Sequence, residues 1–201
     1  MSDSKDKFTL GLELPSDPRW VNIAQLNIRD VLIDHAYCEQ KAASSCISLI
    51  VLYPDRVKLV ETLTPIVAEE WNHFERVLAE LKKRGYSLGP SRKDDYVDAL
   101  LKVIRKGGSR EQQVVERLLM NALIEARSCE RFKVLWKNIH DPELAEFYHE
   151  LMISEAGHYR TFLSLAKEYM PEEAVMTRWK EWLSAEAEIL RGMEIRGDRI
   201  H

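Results

Sequence analysis

A chain of 201 residues with 45% hydrophobic content is long enough to bury one sizeable core, and we expect a single domain over residues 1–201. Only 8 Gly and 7 Pro occur, which favours an all-α protein. The 3 Cys form no Cys-x-x-Cys pair, which argues against a disulfide framework or zinc ribbon and fits the reducing cytoplasm. We see no signal peptide and no apolar run of membrane-spanning length, so we expect no membrane association.

The formal net charge of −4 argues against a chain that binds nucleic acid over its whole surface, but the charges are unevenly distributed. Between positions 82 and 110, nine Lys and Arg stand against three Asp, so this basic segment carries +6. It predicts a patch that attracts phosphate; solvated helix ends are the alternative. The cations best suited to contact phosphate are Arg92, Lys93, Arg105, Lys106 and Arg110.

The chain in order reads as amphipathic helices separated by Pro and Gly. The predicted helices cover about residues 20–52 with a possible break near Asn27, 55–84, 91–105, 109–138, 142–169 and 171–196. We expect Ser16 or Asp17 to cap the first helix and Asp55 the next. Pro65 should kink or split the second of these helices, which ends at Gly85.

Six acidic and histidine side chains fall on the apolar faces of the four long helices. The first long helix carries a lone Glu, and the second carries a Glu-x-x-His pair 31 residues later. The third and fourth repeat the pattern with a spacing of 30 residues, which predicts a duplicated helical hairpin and a four-helix bundle. The six residues are Glu39, Glu70, His73, Glu125, Glu155 and His158.

Helical geometry separates these pairs from a third Glu-x-x-His pair, Glu146 and His149. Glu146 precedes Glu155 by nine residues, which is about 180° around a helix, and Glu116 stands in the same relation to Glu125. We therefore expect the third pair to face away from the apolar side. The acidic residues predicted to be solvated are Glu69, Glu116, Glu130 and Glu146.

Other residues near the pattern allow two interpretations. His35 lies one turn before Glu39 and can hydrogen-bond that carboxylate, although an ordinary core histidine is the alternative. Tyr37, Trp71 and Tyr159 are candidates for redox-active side chains, with aromatic packing as the alternative. We expect the cysteines to be small core residues rather than ligands.

Four carboxylates and two imidazoles on four helices are the ligands of di-iron and di-manganese bundles of the ferritin type. In such a site four carboxylates nearly neutralise two divalent ions, and mixed oxygen and nitrogen ligation leaves positions open for dioxygen. Buried glutamates are rare without a partner. The sequence therefore predicts a di-metal site in an all-α, ferritin-like four-helix bundle. This bundle has an additional C-terminal helix and a basic helical insertion between its second and third helices.

The segments around these residues resemble the tRNA 2-methylthio-isopentenyladenosine hydroxylases, from about Leu14 to Ile195. The resemblance is carried by LIDHAYCEQKAA, EEWNHFERVL, EARSCERF and ELMISEAGHYRTFL. It implies a non-haem di-iron monooxygenase with two iron ions as cofactor and dioxygen as co-substrate. The implied substrate is the isopentenyl group of the modified adenosine beside the tRNA anticodon, and the implied electron donor is a separate system.

Under this resemblance the basic segment would contact the tRNA anticodon loop, and the chain would be a cytoplasmic monomer or weak dimer. A ferritin-like ferroxidase or iron-handling protein is the alternative function. A helical interaction module without catalysis is a third, and it predicts no stoichiometric iron.

Overall fold

The computed structural model describes residues 10–200, and within them it contains α-helices and no β-strand. The helices are α1 Arg19–Leu26, α2 Ile28–Leu52, α3 Val57–Lys83, α4 Asp95–Leu101, α5 Arg110–Asn138, α6 Pro142–Lys167 and α7 Glu172–Arg191. Among these residues no helix combines the length and the apolar character needed to cross a bilayer.

Most helix ends follow the predicted signals. The break near Asn27 separates α1 from α2, and the Asn27 side chain donates a hydrogen bond back to the carbonyl of Ile23 at 2.8 Å. Ser109 caps α5 in a capping box with Gln112, and Asp141 caps α6 immediately before Pro142. These ends are determined by neighbours in the sequence, which is why the sequence predicts them.

The α3 helix differs from the prediction at its start and in its middle. Its N-cap is Arg56 rather than Asp55, and no side chain caps it. Pro65 lies inside a helix that continues to Lys83, so the expected split is wrong. At the other end Gly85 has φ +73°, and the amide of Tyr86 donates to the carbonyl of Leu81 at 2.9 Å, as in a Schellman motif.

Two predicted helices are too long. The α4 helix begins at Asp95 rather than near residue 91, and the carbonyl of Lys93, just before it, accepts a hydrogen bond from Arg199 Nη2 at 3.1 Å. It ends at Leu101 rather than near 105, and the carbonyl of Val103 accepts from Arg178. The last helix ends at Arg191 rather than near 196.

The chain divides into two compact units. The α2/α3 unit comprises Asn22–Asp95 and Ile195–Ile200, and the α5/α6 unit comprises the described residues up to Val21 and Tyr96–Glu194. In the first, α2 packs against α3; in the second, α5 packs against α6, and α7 packs against both. The expectation of one domain over residues 1–201 stays a prediction.

The α2/α3 unit is fastened by residues far away in the sequence, Ile195–Ile200, which we call the C-terminal segment. Arg199 Nη1 donates to Asp34 Oδ1 at 3.1 Å, and the backbone amide of Ile200 donates to Asp34 Oδ2 at 2.8 Å. Arg92 Nη1 donates to Asp198 Oδ2 at 2.9 Å. Burial raises the pKa of the Asp34 carboxyl above its usual value, even though the Ile200 amide and Arg199 oppose the shift.

The α5/α6 unit contains a buried ion-pair cluster, the Arg127 network. The guanidinium of Arg127 is fully buried and donates to Glu186 Oε1 at 2.8 Å, Glu130 Oε2 at 3.0 Å and the carbonyl of Leu14 at 2.8 Å. The backbone amide of Ser16 also donates to Glu130 at 3.1 Å. The prediction that Glu130 is solvated is therefore wrong: its carboxylate is buried between Arg127, three residues earlier on α5, and the amide of Ser16, 114 residues away.

Candidate metal centre

The α2/α3 unit brings together Glu39 from α2 with Glu70 and His73 from α3. All three are buried, and each offers a ligand atom within 4.8 Å of the other two. His73 Nδ1 lies 3.6 Å from Glu70 Oε2 and 3.7 Å from Glu39 Oε2. These distances are longer than hydrogen bonds but suit donors that surround a common cation. We call this group the first half-site.

The α5/α6 unit repeats the arrangement with Glu125 from α5 and with Glu155 and His158 from α6. These three side chains are also buried, and their ligand atoms again lie within 4.8 Å of one another. His158 Nδ1 lies 3.6 Å from Glu155 Oε2, the same distance that separates His73 from Glu70. The repeat follows from the i, i+3 spacing on a helix. We call this group the second half-site.

The donor set of each half-site fits a divalent transition-metal ion. Two carboxylates supply hard anionic oxygens and one imidazole supplies a nitrogen, a mixture that suits iron and related metals. Two carboxylates buried within 4.8 Å of each other repel, and a cation between them relieves that cost.

His35 contacts the first half-site directly. It is fully buried, and its Nε2 lies 2.5 Å from Glu39 Oε1. The sequence left open whether His35 is a partner of Glu39 or an ordinary core histidine. The structure shows that it hydrogen-bonds the Glu39 carboxylate.

The third Glu-x-x-His pair belongs to neither half-site. Glu146 is exposed, and His149 stacks on Trp136 with ring centroids 4.1 Å apart. Glu69 is exposed, as predicted. Glu116 is not: it is 5% exposed and accepts hydrogen bonds from Arg178 at 2.6 and 2.8 Å. The prediction that Glu116 is solvated is wrong, because the side of α5 that faces away from Glu125 is also buried there.

The aromatic and cysteine candidates make packing contacts. Tyr37 donates its hydroxyl to the carbonyl of Gly89 at 2.7 Å, and Tyr159 lies with its ring centroid 5.9 Å from that of Trp179. Burial raises the pKa of Cys46 to about 12 and that of Cys129 to about 12. Both thiols are therefore protonated at neutral pH, which fits core residues rather than thiolate ligands.

The cations of the basic segment are used in different ways. Arg92 binds the C-terminal segment, Lys93 Nζ lies 2.6 Å from Asp95 Oδ1, and Arg105 Nη2 lies 2.6 Å from Glu181 Oε2. Lys106 and Arg110 are exposed at the start of α5. A cavity of about 610 Å³ in the α5/α6 unit is lined by Arg105 and Lys106, by Gly107 and Gly108, and by the beginning of α7.

No pattern in the sequence indicates the residues that hold the helices of the half-sites in place. Arg127 stands two residues after Glu125, but its partners Leu14 and Glu186 are more than 50 residues away. Asp34 stands beside His35, and its partner Arg199 is 165 residues away. Contacts of this range leave no periodic pattern in the chain.

Comparison with known proteins assigns the chain to a family. The profile of tRNA-(MS2IO6A)-hydroxylases (MiaE) matches residues 5–201. The tRNA 2-(methylsulfanyl)-N(6)-isopentenyladenosine(37) hydroxylase of Pseudomonas putida is 38% identical over 181 residues, which cover 90% of this chain and 86% of that protein. The hydroxylase of the same name from Salmonella typhimurium is 25% identical over 228 residues, which cover 89% of this chain and 83% of that protein.

Among solved structures, Protein 43 with aldehyde deformylating oxygenase activity from Synechococcus is similar in fold. It superposes with a TM-score of 0.89 at 38% sequence identity and covers 94% of each chain. The predicted fold class, all-α and ferritin-like, is thereby confirmed.

Proposed function

Because this chain belongs to the tRNA-(MS2IO6A)-hydroxylase family, we propose that it hydroxylates the isopentenyl group of 2-methylthio-N6-isopentenyladenosine beside the tRNA anticodon. The observation that carries the proposal is the buried Glu, Glu-x-x-His group in each unit of a family member. Of the functions considered from the sequence, the ferroxidase alternative has no observation in its favour beyond the fold.

We propose that the two half-sites together hold two iron ions. The ligands would be Glu39, Glu70, His73, Glu125, Glu155 and His158. Bound iron would supply the activation of dioxygen, with one oxygen atom entering a C–H bond and the other leaving as water after two electrons and two protons are delivered. An electron-donor system must therefore act with this chain, and we propose that both work in the cytoplasm, where tRNA is modified.

The residues of the chain itself prepare the site for this reaction. The two Glu-x-x-His pairs are held on long helices, so their donors are fixed before any metal arrives. All six side chains are buried, which keeps bulk water away from the reacting centre. His35 holds one oxygen of Glu39 and thereby limits how that carboxylate can turn.

Nucleoside analysis tests the function. Undermodified tRNA is incubated with iron-loaded protein, dioxygen and a chemical or enzymatic electron donor, and its nucleosides are separated and weighed by mass spectrometry. We expect the modified adenosine to gain one oxygen atom, and labelled dioxygen, not labelled water, to supply it. A His158→Ala variant is the control. Failure of the iron-loaded protein to form product, with iron mineral appearing instead, would favour the ferroxidase.

We propose that the basic segment contacts the tRNA backbone. Arg92, Lys93, Arg105, Lys106 and Arg110 are the proposed residues. Lys106 and Arg110 are both exposed near the start of α5, where phosphate can reach them, so we expect them to contribute to the attraction. Proteins bind RNA loops through splayed-out bases and backbone phosphates. In this proposal the cations of the basic segment contact the phosphates.

Replacing Lys106 and Arg110 together by Glu should weaken tRNA binding and flatten its dependence on salt, because fewer counterions are released. The matched control is the double change Lys58→Glu and Lys180→Glu, which alters the net charge equally at two other exposed positions. Filter binding or fluorescence anisotropy over a salt series measures both. Equal losses in the two double variants would show that only net charge matters.

A further inference from the structure

The two half-sites differ one turn before their first ligand. His35 stands four residues before Glu39, and Asn121 stands four residues before Glu125. Both are buried. The ligand residues of the first half-site are repeated in the second, but the residue four positions before the first glutamate of each half-site is not.

The contact between His35 and Glu39 occupies one carboxylate oxygen. A hydrogen bond of 2.5 Å requires a proton on one of the two atoms; when Glu39 is ionised, as a metal ligand would be, the Nε2–H of His35 donates to Glu39 Oε1. The other oxygen, Oε2, is the one that lies 3.7 Å from His73 Nδ1. The two oxygens of Glu39 therefore differ: Oε1 contacts His35, and Oε2 lies on the side of His73.

We propose that His35 is a positioning residue that turns Glu39 so that Oε2 is its metal-binding oxygen, and that the two iron ions therefore have unlike surroundings. The proposal rests on the proposed di-iron centre. Glu125 is preceded by a neutral amide rather than by an imidazole. The residue one turn before the first ligand is thus an imidazole in one half-site and an amide in the other, which makes the duplicated ligand set an asymmetric pair of sites.

Two amide variants of His35 test this with little change in chemistry. His35→Gln carries its amide nitrogen about as far from the backbone as Nε2 of histidine, so it can still reach Glu39. His35→Asn is shorter, loses the contact and reproduces the residue found in the second half-site. Asn121→Gln is the matched control at the corresponding position.

The measurement is anaerobic titration of the metal-free protein with ferrous ion, followed by near-infrared magnetic circular dichroism, which reports the ligand arrangement of each ferrous ion. In the wild-type protein we expect two ions with distinct bands. His35→Asn should weaken the binding of one ion by about 10- to 100-fold and shift only its bands. His35→Gln should restore most of the affinity and the wild-type bands, and Asn121→Gln should leave the His35-dependent ion unchanged.

The outcomes separate this inference from the proposed function. A wild-type protein that binds no stoichiometric iron would overturn the di-iron proposal itself. Two ions bound with unchanged affinity and bands in His35→Asn would overturn only the role of His35. Equal losses in the Asn and Gln variants would also overturn it, since a purely structural role does not distinguish the reach of two amides. Thermal unfolding of the metal-free variants checks that each one folds.

Discussion

The two half-sites contain the same three kinds of ligand but are supported by different parts of the chain. In the α2/α3 unit the support comes from the C-terminal segment, which binds Asp34 one residue before His35. In the α5/α6 unit it comes from the fully buried Arg127, two residues after Glu125. The ligand geometry repeats because helical spacing determines it locally, whereas the support differs because it is built from distant segments.

Removing one imidazole at a time tests whether each half-site holds its own ion. We expect His73→Ala and His158→Ala each to reduce ferrous binding from two ions to one per chain and to lower hydroxylation by at least about 100-fold, since loss of a direct ligand should cost no less than loss of its supporting partner. Metal analysis after gel filtration and nucleoside mass spectrometry measure the two effects. His149→Ala, in the exposed third pair, should change neither.

If either single variant lost both ions, the half-sites would not be separable. If His149→Ala impaired iron binding as strongly as the other two changes, the assignment of ligands by helical face would be wrong.

Replacing Arg127 and Arg199 in turn compares how much each arginine contributes to the free energy of unfolding. Arg127→Met should lower the free energy of unfolding by about 3–5 kcal/mol, because it leaves Glu130 and Glu186 buried without their cation. Arg199→Met should cost less, about 1–3 kcal/mol, because the Ile200 amide still donates to Asp34. Urea unfolding monitored by circular dichroism measures both.

The exposed Lys180→Met is the control for these arginine changes and should lie within about 0.5 kcal/mol of the wild-type protein. A larger loss from Arg199→Met than from Arg127→Met would reverse the ranking of the two supports.

Alanine substitutions at two glycines should give the smallest changes in stability, and the two changes should have opposite signs. A Cβ at Gly197, in the C-terminal segment, would lie 2.8 Å from the backbone carbon of Ile23, so Gly197→Ala should destabilise the α2/α3 unit by about 1–3 kcal/mol. A Cβ at Gly157, inside α6, would meet nothing within 4 Å, so Gly157→Ala should stabilise its helix by about 0.5–1 kcal/mol. Thermal unfolding of both variants measures the difference in sign.

How much of this structure the sequence predicts depends on how far apart in the chain the interacting residues lie. The start of α5 near residue 109 and the helix end at Gly85 were predicted because a few neighbouring residues determine them. The ferritin-like fold class was predicted from helical periodicity and is confirmed. Each predicted ligand triad meets in its own unit, while its role in holding iron stays a prediction.

The predictions failed where a distant partner overrides the local pattern. Glu116 and Glu130 lie away from the metal-facing side of α5, yet both are buried: Arg178 binds Glu116 from 62 residues away, and the amide of Ser16 binds Glu130 from 114 residues away. The helix expected from residue 91 starts at Asp95, and the residues just before it are held by Arg92 and Arg199 contacts with distant parts of the chain. No pairing rule in a single sequence links such positions.

The C-terminal segment also has a consequence for the order in which the chain folds. On the ribosome, residues 22–95 are made early, yet Ile195–Ile200 of the same unit are made roughly 100 residues later. In the other unit, Leu14 and Ser16 must await Arg127 and Glu130. Neither unit can therefore be completed while the other is still unmade, and a nascent chain that pauses midway has completed neither unit.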